Sequence, residues 1–209
     1  RCSMQTNLTL LSDSYLNLLK EYQVSVGFSL DGPEHINDRT RVFRNGNGTF
    51  KDIIRKVELC QSYGVNIAAI VVMTKFNSDA IDDIYDFFSH RNLNFKLNPV
   101  FSFGDAVNCY DDVGISPKDY SLGMIKLFDR WMNDASCSIK ISNLVEMASN
   151  ICTLKPSLCL FKKNCQDDFV SIDPQGNVFP CGRFHSDQNY NMGNIRKSSL
   201  SKILSGRKR

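Results

Sequence analysis

The sequence predicts an α/β fold: a parallel sheet with helices outside it, followed by a small cysteine-bearing hairpin module. Three observations carry this. Residues 3–101 alternate strand, helix, strand, helix, strand, helix, strand, an order that closes into right-handed parallel crossovers. The strand at 24–29 carries no charge on either face, as suits a covered parallel sheet. Further along, Cys159, Cys165 and Cys181 are separated by five and then fifteen residues, with a turn sequence between the last two.

The elements follow in order. Residues 3–7 form a short strand. Ser12 or Asp13 caps a helix through Tyr22, with Leu16, Leu19 and Tyr22 on one face. In strand 24–29, Val24, Val26 and Phe28 share one face, and Ser25, Gly27 and Ser29 the other. Asp31-Gly-Pro opens a polar loop that runs to Gly48. Residues 50–63 read as a strong helix, with Phe50, Ile53, Ile54, Val57 and Cys60 on one face and Gly64 as its stop. Residues 66–73 are the third strand. Ser78 or Asp79 caps the next helix, through His90, and 94–101 is the fourth strand. Open sheets and barrels both fit this order, and in either the catalytic groups gather at the C-terminal strand ends. Residues 102–120 read as a linker. Ser116-Pro-Lys-Asp then opens a helix with Pro at its first position, through Trp131, with apolar Met124, Ile125, Leu127 and Phe128. A further helix spans 143–152. Trp131, Phe128, Phe87 and Phe88 are expected in the core.

In the cysteine module, Asp168-Phe-Val-Ser-Ile-Asp alternates as a strand. Asp173-Pro-Gln-Gly is the turn, and Asn177-Val-Phe returns. Such a hairpin folds Cys181 back toward Cys165, so that three thiols converge and can bind a soft metal. Zinc sites pair their cysteines two to four residues apart, and that spacing is absent. An iron–sulfur cluster accepts wider spacing, because each thiolate takes a different corner. Unligated buried cysteines are the third reading. Spacing alone leaves all three open.

Composition narrows the class. A net charge of +3 is too weak to imply nucleic acid, and no apolar run reaches a membrane span, the longest being 67–73. No secretory leader is expected. Eight cysteines would suit a secreted disulfide scaffold, but the large alternating core does not, so the expected compartment is the cytoplasm. The chain opens on Arg1 within a strand-like stretch and closes on a helix-like one, and a fragment of a longer protein is expected.

Gln5-Thr-Asn7, Ser29-Leu-Asp-Gly-Pro with His35, Asp38 and Arg41, Cys165-x10-Gly176-x4-Cys181, and Met192-Gly-Asn-Ile195 fall in order along the chain. Together they resemble the radical S-adenosylmethionine (radical SAM) enzymes with a C-terminal SPASM module, among them peptide maturases and anaerobic sulfatase maturases. The resemblance spans nearly the whole chain. It implies a partial (β/α)6 TIM-like barrel in 1–105, a helical bridge in 106–156, and the first half of a SPASM module in 157–209. It implies S-adenosylmethionine bound by Ser29, which offers a hydroxyl, and Arg41, which forks onto the methionine carboxylate. It also implies a [4Fe–4S] auxiliary cluster held by Cys159, Cys165 and Cys181. Read without it, Ser29 caps a turn and Arg41 is a solvated loop charge.

The departures matter equally. Leu8 stands where the family has the glycine of Gln-Thr-Asn-Gly. The C-x3-C-x2-C motif of the SAM-cleaving cluster and the Gly-Gly-Glu motif are absent from these 209 residues, as are the later SPASM cysteines. Sulfatase maturases place an aspartate after the third cysteine as proton acceptor, and here Gly182 follows Cys181. That favours other peptide maturases, as does Gly182-Arg-Phe184.

The remaining groups read as structural. Asp31-Gly-Pro is a turn, and Asp38 bonds loop backbone or pairs with Arg41. Residues 98–102 are a candidate adenine wall, with core packing the expected use of Val100 and Phe101. Cys2, Cys60, Cys109 and Cys137 are inert, Cys152 is a helical core position, His90 sits at a helix C-terminus and His185 is a loop residue. The implied function is a radical SAM enzyme, here a fragment inactive by itself, whose parent oxidises or crosslinks residues of a ribosomal precursor peptide. It draws electrons from a donor such as flavodoxin or ferredoxin and has no nucleic-acid or membrane partner. The alternatives are an anaerobic sulfatase-maturing enzyme, a catalytically dead peptide-binding protein and a zinc-stabilised α/β domain. No residue of the chain is expected to act as a catalytic group.

Overall fold

The computed structural model describes residues 2–102, 104–156, 162–163, 169–185 and 187–206, the side chain of Asp105 excepted. The chain divides into two compact units, 1–145 and 146–209.

In the first unit four strands, β1 (Ser3–Thr6), β2 (Ser25–Ser29), β3 (Ile67–Met73) and β4 (Phe95–Pro99), form a parallel sheet in sequence order. Met4 pairs with Val26, Phe28 with Ala69 and Val71 with Leu97. The crossovers are helices α1 (Asp13–Glu21), α3 (Phe50–Ser62) and α4 (Ile81–His90). Strand alternation sends Val26, Phe28, Ala69, Val71, Met73, Phe95 and Leu97 to one fully buried face. The opposite face, with Gly27, Ser29, Ile70, Val72, Lys96 and Asn98, is only half-buried. One covered face and one half-open face is the arrangement of a partial barrel. Burial of each large side chain, such as Phe28 or Phe88, contributes roughly 1.5–3 kcal/mol, and Phe88 stacks on Phe95 at 4.7 Å between ring centroids.

The outer edge of β4 is covered. Asn143 accepts from Leu97 N at 2.9 Å and donates to Leu97 O at 2.8 Å. The Tyr120 hydroxyl donates to the same carbonyl at 3.0 Å, and Phe95 N donates to Lys140 O. Side chains thus satisfy ladder groups that a neighbouring strand would otherwise take.

Several expectations change. The loop after β2 contains a short helix, α2 (Glu34–Asn37), and a tight hairpin in which Val42 bridges Gly48. Residues 104–113 are not open linker: a 3₁₀ turn (Gly104–Cys109) leads into α5 (Tyr110–Val113). Neither Ser78 nor Asp79 caps α4; Ala80 holds that place without a side-chain bond, because a turn closed by Asn77 on Thr74 N (2.8 Å) and Val72 O (3.0 Å) delays the helix. Helix α6 (Pro117–Asn133) starts as expected, with Ser116 Oγ accepting from Asp119 N at 3.1 Å. Its inward stripe runs through Tyr120, Gly123, Met124, Leu127 and Trp131, at spacings of three and four. Phe128 lies at the outer edge of that stripe, about 100° around the helix from Leu127, and is 40% exposed rather than core. Phe101 is likewise 49% exposed, since β4 ends at Pro99. The helices up to residue 145 fall in the first compact unit.

Helix α7 spans Ser142–Thr153. Cys152 lies exposed on it, not in a core. In the second unit β5 (Ser171–Ile172), β6 (Asn177–Phe179) and β7 (Gly193–Asn194) make an antiparallel sheet. The turn is the one expected: Gly176 N donates to Asp173 O at 2.9 Å and Gly176 takes φ +89°, a value at which only glycine is unstrained. Strand β7 was not foreseen. Helix α8 (Leu200–Ser205) buries Ile203 against Gly193.

Candidate cofactor pocket and cysteine hairpin

The C-terminal ends of β1 and β2 meet the loop after β2 in a pocket of about 270 Å³. Its lining includes Asn7, Thr9, Ser29, Arg41, Phe43 and Ile53. The structure therefore brings both expected cofactor residues, Ser29 and Arg41, to one cavity, together with Asn7 of the Gln-Thr-Asn stretch.

The turn after β1 shapes one side. Asn7 Oδ1 accepts from Thr9 N at 3.2 Å and Thr9 Oγ1 at 3.0 Å, an Asx turn. Leu8, in the glycine position of the family, still takes the left-handed conformation, φ +63°. Such a conformation costs a non-glycine residue about 1–2 kcal/mol. Leu8 is wholly buried, and that burial offsets the strain. The turn thus takes a conformation that glycine favours although leucine occupies it.

The loop after β2 shapes the other side. Arg41 Nε donates to Asp31 Oδ2 at 2.6 Å, and Nη2 to Oδ1 at 2.9 Å. Asp31 is buried and Arg41 partly so. Asp31 Oδ1 also accepts from Val72 N on β3 at 2.8 Å. Asn37 joins the network: its Oδ1 accepts from Asp31 N, and its Nδ2 donates to Asp38 and to Thr49. Asp38 accepts from Phe50 N at 3.0 Å, so it bonds loop backbone and does not pair with Arg41. Arg41 is thus no free surface charge. A guanidinium has five N–H donors, and the fork to Asp31 uses two of them.

Asp31, Asn37 and Thr49 are structural residues of this site that sequence reasoning missed. Asp31 was read as part of a turn, and no periodicity links it to a partner ten residues on. The run Asn37-Asp38 ahead of Arg41, in a loop too long to be mere spacer, was the available signal.

In the second unit Cys181 follows β6 with a half-buried free thiol. Cys159 and Cys165 lie outside the described residues, so their convergence with Cys181 stays an expectation. Gly182–Phe184 form a 3₁₀ turn after Cys181. Among the described residues a Cβ on Gly182 would meet only Ser171 Oγ, at 3.6 Å. His185 packs at a tilt against Phe179, with ring centroids 5.1 Å apart, and meets Ser171 through Nε2. Among the other cysteines, Cys60 is fully buried and its thiol is pushed up by that burial, which keeps it protonated and inert. Cys2 and Cys109 are exposed and Cys137 is half-buried.

Comparison with known proteins agrees with this geometry. Residues 1–88 match the radical SAM superfamily, and residues 159–209 match the SPASM iron–sulfur cluster-binding domain. The chain is 29% identical to the cysteine-type anaerobic sulfatase-maturating enzyme of Clostridium novyi, over 97% of this chain and 54% of that protein. It is 24% identical to the serine-type enzyme of Bacteroides thetaiotaomicron, over 96% and 52%. The solved structure of native anSMEcpe with bound AdoMet superposes with a TM-score of 0.84 at 25% identity, covering 97% of this chain and 56% of that one. Streptococcus suis SuiB bound to precursor peptide SuiA shares the fold, with a TM-score of 0.67 at 15% identity, over 96% and 46%. The chain spans about half the length of the curated relatives it matches.

Proposed function

The chain belongs to the radical SAM superfamily and carries a SPASM segment, and from that premise we propose that it is part of an enzyme that oxidises or crosslinks residues of a peptide or protein substrate. The observation that carries this reading is the pocket at the C-terminal strand ends where Asn7, Ser29 and Arg41 meet. In parallel α/β folds that is where reactants bind.

The residues present suit the amino-acid end of S-adenosylmethionine. Arg41 offers N–H donors beyond those on Asp31, Ser29 and Thr9 offer hydroxyls, and Phe43 and Ile53 supply apolar wall. Bound beside a reduced [4Fe–4S] cluster, this cofactor would supply radical chemistry for hydrogen abstraction from the substrate. The chain's own groups would bind and orient it: Arg41 would hold the carboxylate, Ser29 would bond a polar group of the cofactor, and the apolar wall would limit water. Cys181, with Cys159 and Cys165, would provide thiolates to an auxiliary [4Fe–4S] cluster. The substrate class, a ribosomal precursor peptide, the flavodoxin- or ferredoxin-type electron donor and the cytoplasmic setting belong to the same reading. Among the described residues no helix is long and apolar enough to cross a membrane.

Sulfatase maturation is the second reading, favoured by the two named relatives. Against it, Gly182 presents no carboxylate after Cys181.

Anaerobic reconstitution with iron and sulfide tests the cluster. The expected result is bound iron and sulfide with broad visible absorbance, lost when Cys159, Cys165 and Cys181 are replaced together by alanine. Zinc in place of iron, or iron uptake that ignores the three replacements, would overturn the assignment. Because the C-x3-C-x2-C motif is absent from these residues, the 209-residue chain is expected to bind S-adenosylmethionine without cleaving it.

A further inference from the structure

The reading above gives Arg41 its role but leaves open how a long side chain on a loop is held ready for a ligand. The geometry points to Asp31, and we propose that Asp31 is the positioning residue of the pocket: it clamps Arg41 so that the remaining guanidinium donors meet a ligand carboxylate. This rests on the pocket being the S-adenosylmethionine site.

Three contacts support the assignment. Strand β2 ends at Ser29, and Leu30 N donates to Ile70 O. One step further, β3 has no backbone partner for Val72 N, and the Asp31 carboxylate takes that place at 2.8 Å. Asp31 is therefore fixed to the sheet as firmly as a ladder residue. The same carboxylate receives Nε and Nη2 of Arg41 at 2.6 and 2.9 Å. A two-pronged contact fixes the guanidinium plane, which a single bond would leave free to turn. Arg41 is also held from behind, since its carbonyl accepts from Thr49 Oγ1 at 3.0 Å. Among the described residues Arg41 is the only charged one lining the pocket, and Asp31, 3% exposed, neutralises it. The side chain is thus pre-set, and little freedom remains to be lost when a ligand arrives.

A simple staple between loop and sheet would show the same contacts, so the test must separate the two. Asp31→Asn keeps an oxygen for Val72 N and removes the ionic fork. Binding to the 209-residue chain is measured for S-adenosylmethionine and for its decarboxylated analogue. The expected result is weakening on the order of tenfold for the first and no change for the second, because only the first meets Arg41 through a carboxylate. Equal weakening of both, or no change in either, would overturn the proposal. Arg41→Lys serves where Asp31→Asn fails to fold: it keeps the charge but not the fork, and the same selective loss is expected. Arginine side-chain NMR gives an independent readout. The Arg41 Nε–H resonance should exchange slowly with water in the parent chain and quickly in Asp31→Asn. Should the parent chain bind neither compound, the cofactor reading of the pocket fails, while an Nε–H resonance unaltered in Asp31→Asn would sink the role of Asp31.

Discussion

Ser171 Oγ stands 2.7 Å from Nε2 of His185, tying strand β5 to the turn that follows Cys181. That bond occupies one of the two imidazole nitrogens, and the cluster reading takes Cys181, not His185, as the ligand of the hairpin. His185→Gln should therefore leave iron per chain unchanged after anaerobic reconstitution, while Cys181→Ala lowers it. An equal loss in both would make His185 a ligand. Ser171→Ala, which removes one neutral hydrogen bond, should cost about 1 kcal/mol in chemical unfolding.

Leu8 reverses an ordinary order of substitutions. Truncating a buried leucine to alanine costs about 2–5 kcal/mol. Glycine loses the same packing but relieves the left-handed strain at φ +63°, worth about 1–2 kcal/mol. Leu8→Gly should therefore be less destabilising than Leu8→Ala, the opposite of what most buried sites show. Urea unfolding of the two variants measures the difference.

Tyr85 donates its hydroxyl to Asp134 Oδ2 at 2.8 Å. Burial, with bonds to Cys137 and Asp134, pushes the phenol well above the ordinary tyrosine range. A raised folded-state value means that its contribution is complete below the unfolded phenol's range, about pH 10. It is then lost as pH rises and the unfolded chain ionises first. The Ser136 hydroxyl, with Tyr85 and the Ser136 amide, holds Asp134 below the usual carboxylate range. Its contribution is present at neutral pH and is lost as acid protonates it. Tyr85→Phe should lower Tm by about 3 °C at neutral pH. It should also flatten the decline in alkali and, by lessening the depression of Asp134, reduce the stability lost in acid. Thermal melts across pH check all three.

Asn143 is a side chain doing the work of a strand. Its removal leaves Leu97 N without its partner, and an unsatisfied buried group costs about 1–3 kcal/mol. Asn143→Leu, of similar size, should destabilise the first unit by that order, and hydrogen exchange at the Leu97 amide should speed up. Unchanged exchange would mean that another group covers the edge.

Much of the fold could be read from spacing. Residues 24–29, by the absence of charge on either face, and 67–73, by an unbroken apolar run, announce buried parallel strands, Ser116-Pro117 announces α6, and Asp173-Pro-Gln-Gly176 announces the hairpin turn. Each is local chemistry: a cap, a fixed φ, a face. Phe128 was misjudged because an apolar residue at the outer edge of a stripe looks the same in sequence as one within it. Helix α2 and strand β7 are so short that their hydrogen bonds come from their surroundings rather than from propensity.

By itself the sequence singled out candidates for chemistry: Ser29 at the end of β2, Arg41 in the loop after it, and the three spaced cysteines. It determined as well that the chain alternates strand and helix. Only the tertiary structure decided that Arg41 lies clamped on Asp31, that Leu8 holds a glycine's conformation, and that Asn143 closes the sheet. The reason is physical. Caps and periodicities act within a few residues along the chain, whereas a buried carboxylate or a strained turn is settled by whatever the packed fold brings beside it.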